Sequence, residues 1–241
     1  MSGRLIGVGT GPGNPELLTL RAVRALNEAD VLAHFAKRGN RCNARETVLA
    51  HLRPGLVELP LYYPVTTETA RTGEEYQHSI ADFFDRSAEE VAAHLDAGRS
   101  VAVLSEGDPM FYGSYMHLHV RLADRYDAEI IPGVTGMSGS WSAAGVPIAQ
   151  GDDVLSILPG TLDETELQRR IAGTEACVIM KVGRNLPKIR RAIDAAGRLA
   201  EAIYVERATM AAMDIEKLAD KSDDEAPYFS IVLVPGWSTQ P

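Results

Sequence analysis

The sequence predicts an α/β protein whose sheets are covered on both faces. Two observations predict it. Short apolar runs of strand length, such as Leu5-Ile6-Gly7-Val8 and Val101-Ala102-Val103-Leu104, alternate with segments of helical period along the chain. Several of those runs are apolar without polar alternation, as strands covered on both faces are.

The elements follow in order. Arg4 to Val8 reads as a strand, followed by a glycine loop through Gly13. Asn14 is placed to cap a helix with Pro15 in its first position, and Leu18, Ala22, Ala25, Leu26 and Ala29 give it a buried face. Asp30 to Phe35 reads as a second strand and Asn43 to Leu52 as a helix. Proline-rich loop material then runs through Pro64. Glu74 to Leu95 is a long helix with Tyr76, Ile80, Phe83, Phe84, Val91 and Leu95 on one side, closed by Gly98. Strands follow at Ser100 to Ser105 and Ala128 to Ile131, with a helix carrying His117 and His119 between them.

The second half repeats the alternation. Val154 to Leu158 is a strand, Glu164 to Ala172 a helix, Cys177 to Val182 a strand and Pro187 to Ala196 a helix. Ala202 to Val205 and Tyr228 to Val234 are expected strands with a helix between them, and Asp220 to Glu225 is a solvated loop. The stretch from Pro132 to Gly151, dense in Gly and Ser, reads as a junction. The expected domains are therefore 1–132 and 133–241.

Composition narrows the function. At 241 residues and 45% hydrophobic content the chain can bury one large core or two modest ones. A net charge of −9 argues against a broad nucleic-acid footprint, which needs clustered Lys and Arg. Cys42 and Cys177 stand far apart and form neither a disulfide framework nor a zinc motif, which suits a reducing cytoplasm. No apolar run reaches the roughly 18 residues of a membrane helix. The apolar stretch after Met1 to Arg4 is too short for a signal peptide, so cytoplasmic residence is expected. His117 and His119, two apart on a helix, face different ways and make no metal face; no metal is expected. Met210 and Met213 are expected to pack in a core, and Trp141 either packs there or stacks on a flat ligand. Cys177, in an apolar strand, is expected to be inert.

The glycine loop Gly7-Val8-Gly9-Thr10-Gly11-Pro12-Gly13 stands where a nucleotide loop would stand. Its spacing refuses the dinucleotide fingerprint, because the last required glycine falls on Pro12 or on Asn14. No Gly-Lys dipeptide exists for a Walker A loop. Two further Gly/Pro-rich loops end strands in the same half, Ser105 to Gly113 and Pro132 to Gly139. Ligands of open α/β sheets bind at the carboxyl ends of strands, and glycine lets backbone approach a ligand closely. Three such loops can hold an adenosine and an amino-acid tail largely with exposed N–H and C=O groups.

Taken together, Gly7 to Thr19 with its Pro15-Glu16-Leu17-Leu18-Thr19 end, Gly107-Asp108-Pro109, and Pro132-Gly133-Val134-Thr135 resemble the tetrapyrrole methyltransferases of cobalamin and sirohaem synthesis over nearly the whole chain. Phe35 to Gly39, Leu61 to Glu68, Ser105 to Pro109, Met180 to Asn185 and Val205 to Thr209 resemble the branch that methylates precorrin-2 at C(20). Sirohaem-type members carry Gly-Gly-Asp-Pro where this chain has Glu106 to Pro109, and an acid near the end of the second strand where it has Phe35.

The resemblance implies two α/β domains with a ligand cleft between them, and an enzyme using S-adenosylmethionine, releasing S-adenosyl-L-homocysteine, and acting as a homodimer on a tetrapyrrole. It implies cofactor contacts at Pro12, Glu106, Gly107, Asp108, Phe111, Thr135, Gly136, Lys181 and Ala208. The last two differ in type from the commoner Met and Gly. Alignment of carbon, methyl and sulfur is the main requirement, so no Ser/His/Asp or metal constellation is needed. A base for the proton that leaves the methylated carbon is sought among Glu106, Asp108 and Tyr112 by loop position. Lys37, Arg38 and Arg184, with Arg41 and Lys188, are candidates for the substrate carboxylates. Competing readings are methylation of cobalt-factor II or of another corrin carbon, a SAM-binding module without turnover, and methylation of RNA or protein.

Overall fold

The computed structural model describes residues 2–64 and 74–236, with backbone alone for 74–76. Residues 65–68 of the Leu61 to Glu68 segment and the Tyr76 side chain lie outside the described residues. The chain divides into two compact units, Met1–Thr135 and Gly136–Pro241.

The first unit is a five-stranded parallel sheet in the order β3-β2-β4-β1-β5. Its strands are β1 (Leu5–Gly9), β2 (Val31–Ala36), β3 (Val57–Tyr62), β4 (Val101–Ser105) and β5 (Ala128–Ile131). Alternate residues of each central strand enter opposite cores, as the two-residue period of a strand requires. Leu5, Val31, Ala33, Val101 and Val103 pack against α3 (Glu74–Asp96) and α4 (Tyr115–Leu122) through Phe83, Phe84, Val91, Leu95, Tyr115 and Leu118. Ile6, Val8, Leu32, Ala102 and Leu104 pack against α1 (Leu20–Glu28) and α2 (Asn43–Val48) through Ala22, Ala25, Leu26, Ala44 and Val48. All five strands run the same way, so the loops that follow them share one edge. Because β4, β1 and β5 are neighbours, their three loops are neighbours too.

Two expectations are corrected here. The helix expected from Asn14 is two pieces. Asn14 caps a single 3₁₀ turn, Pro15–Leu17, and Thr19, whose hydroxyl accepts from the Ala22 N–H at 3.1 Å, caps α1. The supposed loop before Pro64 contains strand β3. Pro60 lies within it, which is tolerable because β3 is an edge strand.

The second unit holds a mixed sheet in the order β6-β7-β10-β8-β9, with only β6 and β7 parallel. The strands are β6 (Leu155–Pro159), β7 (Ala176–Met180), β8 (Ile203–Glu206), β9 (Asp214–Lys217) and β10 (Ser230–Val234). Cys177, Ile179, Tyr204 and Val232 face α6 (Glu164–Ala172) and α7 (Leu186–Ala195). Val178, Val205, Ile231 and Leu233 face α5 (Gly136–Ala143) through Met137 and Trp141. Trp141 is thus a packing residue. The helix expected between Ala202–Val205 and Tyr228–Val234 is instead strand β9, paired antiparallel to β8. The Gly/Ser stretch from Pro132 to Gly151 contains helix α5. Met213 is exposed rather than packed in a core, its sulfur accepting from the Thr209 N–H at 3.4 Å. Cys177 is fully buried, and burial pushes its thiol up to about 12.

Candidate active site

In the first unit the loops after β1, β4 and β5 are joined by their backbones. Thr10 N–H donates to the Ser105 carbonyl at 2.9 Å, and Gly11 and Gly107 exchange two bonds of 3.2 and 2.9 Å, forming an antiparallel bridge between loops. Asp108 ties in the third loop. One carboxylate oxygen accepts from Met110 N–H at 2.9 Å and the other from Gly133 N–H at 3.1 Å. Glycine is required where these chains cross. A Cβ on Gly133 would stand 2.0 Å from the Gly107 carbonyl oxygen, and one on Gly9 would stand 2.5 Å from Gly133 N. Pro12, half-buried, holds the bend next to Gly11, and half-buried Thr135 ends the third loop.

Glu106 heads the loop after β4. Its side chain is exposed, yet the protein around it desolvates the carboxylate. That desolvation raises its carboxyl from 4.5 to about 7, against the opposing pull of a hydrogen bond from the Asn43 side chain at the start of α2. Phe111 and Tyr112 follow with their rings edge to face at 4.8 Å. Tyr112 has a positive φ of 54°, an uncommon conformation for a residue with a side chain. The loop ends at Ser114, hydrogen-bonded through its hydroxyl to Tyr63. Beside it, at the ends of β2 and β3, lies a hollow of about 640 Å³ that includes Lys37 and Arg38. Arg41, just before α2, is exposed.

Among the described residues of the second unit three more non-glycine residues have positive φ, Lys181 (57°) after β7 and Arg207 (47°) and Thr209 (67°) after β8. Strain of this kind clusters at ligand sites. Lys181 is exposed, and Ala208 packs against the core that contains Val205 and Ile231. Gly136 opens α5, and Arg184 is exposed in the turn before α7. The Lys188 ammonium donates to the Leu162 carbonyl.

The structure thus brings Pro12, Glu106, Gly107, Asp108, Phe111 and Thr135 onto one edge of one sheet. Sequence reasoning missed Asn43 and the Tyr63–Ser114 pair, because no motif links residues so distant along the chain.

Residues 4–220 match the family of Tetrapyrrole (Corrin/Porphyrin) Methylases. The chain belongs to that family. This tetrapyrrole methylase is 68% identical over 239 residues to a precorrin-2 C(20)-methyltransferase of Sinorhizobium sp, covering 99% of this chain and 98% of the relative. Among solved structures, the methyltransferase CobJ shares the fold with a TM-score of 0.68 and 21% identity, over 97% of this chain and 94% of the other. A uroporphyrin-III C-methyl transferase from Thermus thermophilus, complexed with S-adenyl homocysteine, matches with a TM-score of 0.64 and 26% identity over 96% of both chains.

Proposed function

We propose that this tetrapyrrole methylase transfers a methyl group from S-adenosylmethionine to C(20) of precorrin-2, giving precorrin-3A in cobalamin biosynthesis. The observation that carries the reading is the 68% identity to a precorrin-2 C(20)-methyltransferase across nearly both full lengths. The cobalt-precorrin-2 enzyme of Salmonella typhimurium is 28% identical, which favours the metal-free substrate.

The residues fit the donor. The glycine crossing at Gly9, Gly107 and Gly133 brings backbone to the edge of the sheet where a side chain would block it. Pro12, Glu106, Gly107, Asp108, Phe111, Thr135, Gly136, Lys181 and Ala208 are the proposed contacts. When bound, S-adenosylmethionine supplies a methyl activated on a sulfonium. The protein's part is alignment and exclusion of water. Asp108 does this indirectly, since both its oxygens hold backbone N–H groups of two loops. Glu106 is the proposed acceptor for the proton that leaves the methylated carbon. Desolvation brings its pKa to about 7, where a general base works well. Lys37, Arg38 and Arg184 are proposed to meet the substrate's carboxylates.

We also infer a homodimeric, cytoplasmic enzyme without nucleic-acid or membrane partners. In support, the net charge is −9, and among the described residues no helix is long and apolar enough to cross a membrane.

The test is incubation of the pure protein with methyl-labelled S-adenosylmethionine and precorrin-2 or its cobalt complex. Label in a trimethylated tetrapyrrole made from precorrin-2, with release of S-adenosylhomocysteine, is expected. Cofactor binding without that release would make the protein a sensor instead.

A further inference from the structure

We propose that the hollow at the ends of β2 and β3 docks carboxylate arms of the tetrapyrrole, and that Arg86 on α3 is the residue that selects for them. The inference rests on the reading that the substrate is a polycarboxylate macrocycle.

The hollow, about 640 Å³, is walled by Lys37 and Arg38 after β2, by Tyr62 and Tyr63 at the end of β3, and by Arg86 and Glu90 on α3. Among its described lining residues three cations stand with one acid, in a chain of net charge −9. Concave walls of one sign concentrate field and attract opposite charge.

The pairing pattern distinguishes these arginines from their neighbours. Arg45 binds Glu58 at 2.6 Å on the other side of β3, and Arg121 binds Asp85, the residue next to Arg86, also at 2.6 Å. Among the described residues Arg38 and Arg86 have no carboxylate partner. Glu90 stands one helical turn beyond Arg86, at a spacing where pairs commonly form, and the two do not close on each other. Arg38 instead stands over the Tyr62 ring at 5.0 Å, which fixes the direction of its planar fork. Guanidinium forks left unneutralised in a recess match carboxylate geometry.

Position completes the argument. Tyr63, in the wall of the hollow, is hydrogen-bonded to Ser114 at the end of the loop that carries Glu106 and Asp108. A carboxylate arm held by Arg86 and Arg38 therefore anchors a ring beside the loops proposed to hold the methyl donor. Of the residues in this wall the sequence pointed to Lys37 and Arg38; Arg86 joins them because α3 packs against β2 and β3.

The full-length protein is titrated with uroporphyrin III, a stable octacarboxylate, and with its octamethyl ester, following porphyrin fluorescence. S-adenosylhomocysteine affinity is measured in parallel by calorimetry. Wild type is expected to bind the acid and not the ester. Arg86→Gln is expected to weaken the acid about tenfold, the effect of losing one charge-assisted hydrogen bond, with Arg86→Lys falling between and S-adenosylhomocysteine affinity unchanged. Three results overturn the proposal: no binding of uroporphyrin III by wild type, equal affinity of Arg86→Gln and wild type for it, or an equal loss of S-adenosylhomocysteine affinity. Failure of the reaction itself is separate. Wild type that binds the porphyrin through Arg86 but never labels precorrin-2 refutes the methyl transfer and leaves the docking site standing.

Discussion

At Gly133 three stretches of backbone meet so closely that a single added methyl group has nowhere to go. It would fall 2.0 Å from the Gly107 carbonyl oxygen and 2.9 Å from Gly9 Cα, both main-chain atoms that cannot swing aside. Gly133→Ala should cost about 3 kcal/mol of stability, the upper end for overpacking, and weaken S-adenosylhomocysteine binding more than tenfold in calorimetry. Glu106 makes a prediction that depends on pH. Its folded pKa, about 7, lies above its unfolded value of 4.5, so the folded state holds the proton more tightly. The stabilisation is complete in acid and is lost as pH rises through about 7. Glu106→Gln should therefore melt higher than wild type at pH 8 and draw level with it only below the unfolded value of 4.5, while methyl transfer falls and loses its rise between pH 6 and 8. A mutant melting below wild type at pH 8 would contradict the desolvated-carboxylate description. The Gly-Asp-Pro motif was legible because glycine and aspartate at those positions answer local backbone needs. Asn43, which bonds Glu106, carried no such signal, since its effect exists only after β2 and β4 have paired.

Elements were legible where burial on both faces or a long amphipathic period set them, as in β1, β4 and α3. They were misread where tertiary packing overrode local preference. Pro60 disguised β3, yet six residues there pair in register with β2, from Val31↔Val57 to Ala36↔Tyr62. Gly136 and Gly139 disguised α5, whose helical form follows from packing Met137 and Trp141 on the sheet of the second unit. The Asp214–Lys217 strand has polar ends and pairs only on one side, so no apolar run announced it. The start of α1 yields a test at this scale. Thr19, not Asn14, satisfies the first N–H groups of that helix. Thr19→Ala should cost about 1 kcal/mol and lower the melting temperature by a few degrees, whereas Asn14→Ala, which frees only a 3₁₀ turn, should cost less. Equal losses would show that the two pieces behave as one helix.

For the molecule as a whole, each unit has a sheet buried from both faces by its own helices. A ligand gripped mainly by backbone adds to stability by mass action. S-adenosylhomocysteine at about a hundred times its dissociation constant should stabilise the folded chain by about 2.7 kcal/mol, read as a rise in melting temperature that shrinks by about half or more in Gly133→Ala. Two of the sheets' border strands, β3 and β9, carry a further consequence. At β3 the main chain lacks an amide hydrogen at Pro60, and β9 reads Asp-Ile-Glu-Lys, charged at three of its four positions. Neither border offers a regular, apolar template to an incoming strand. Two copies of this chain are thus discouraged from zipping together through those ribbons or growing into fibrils there.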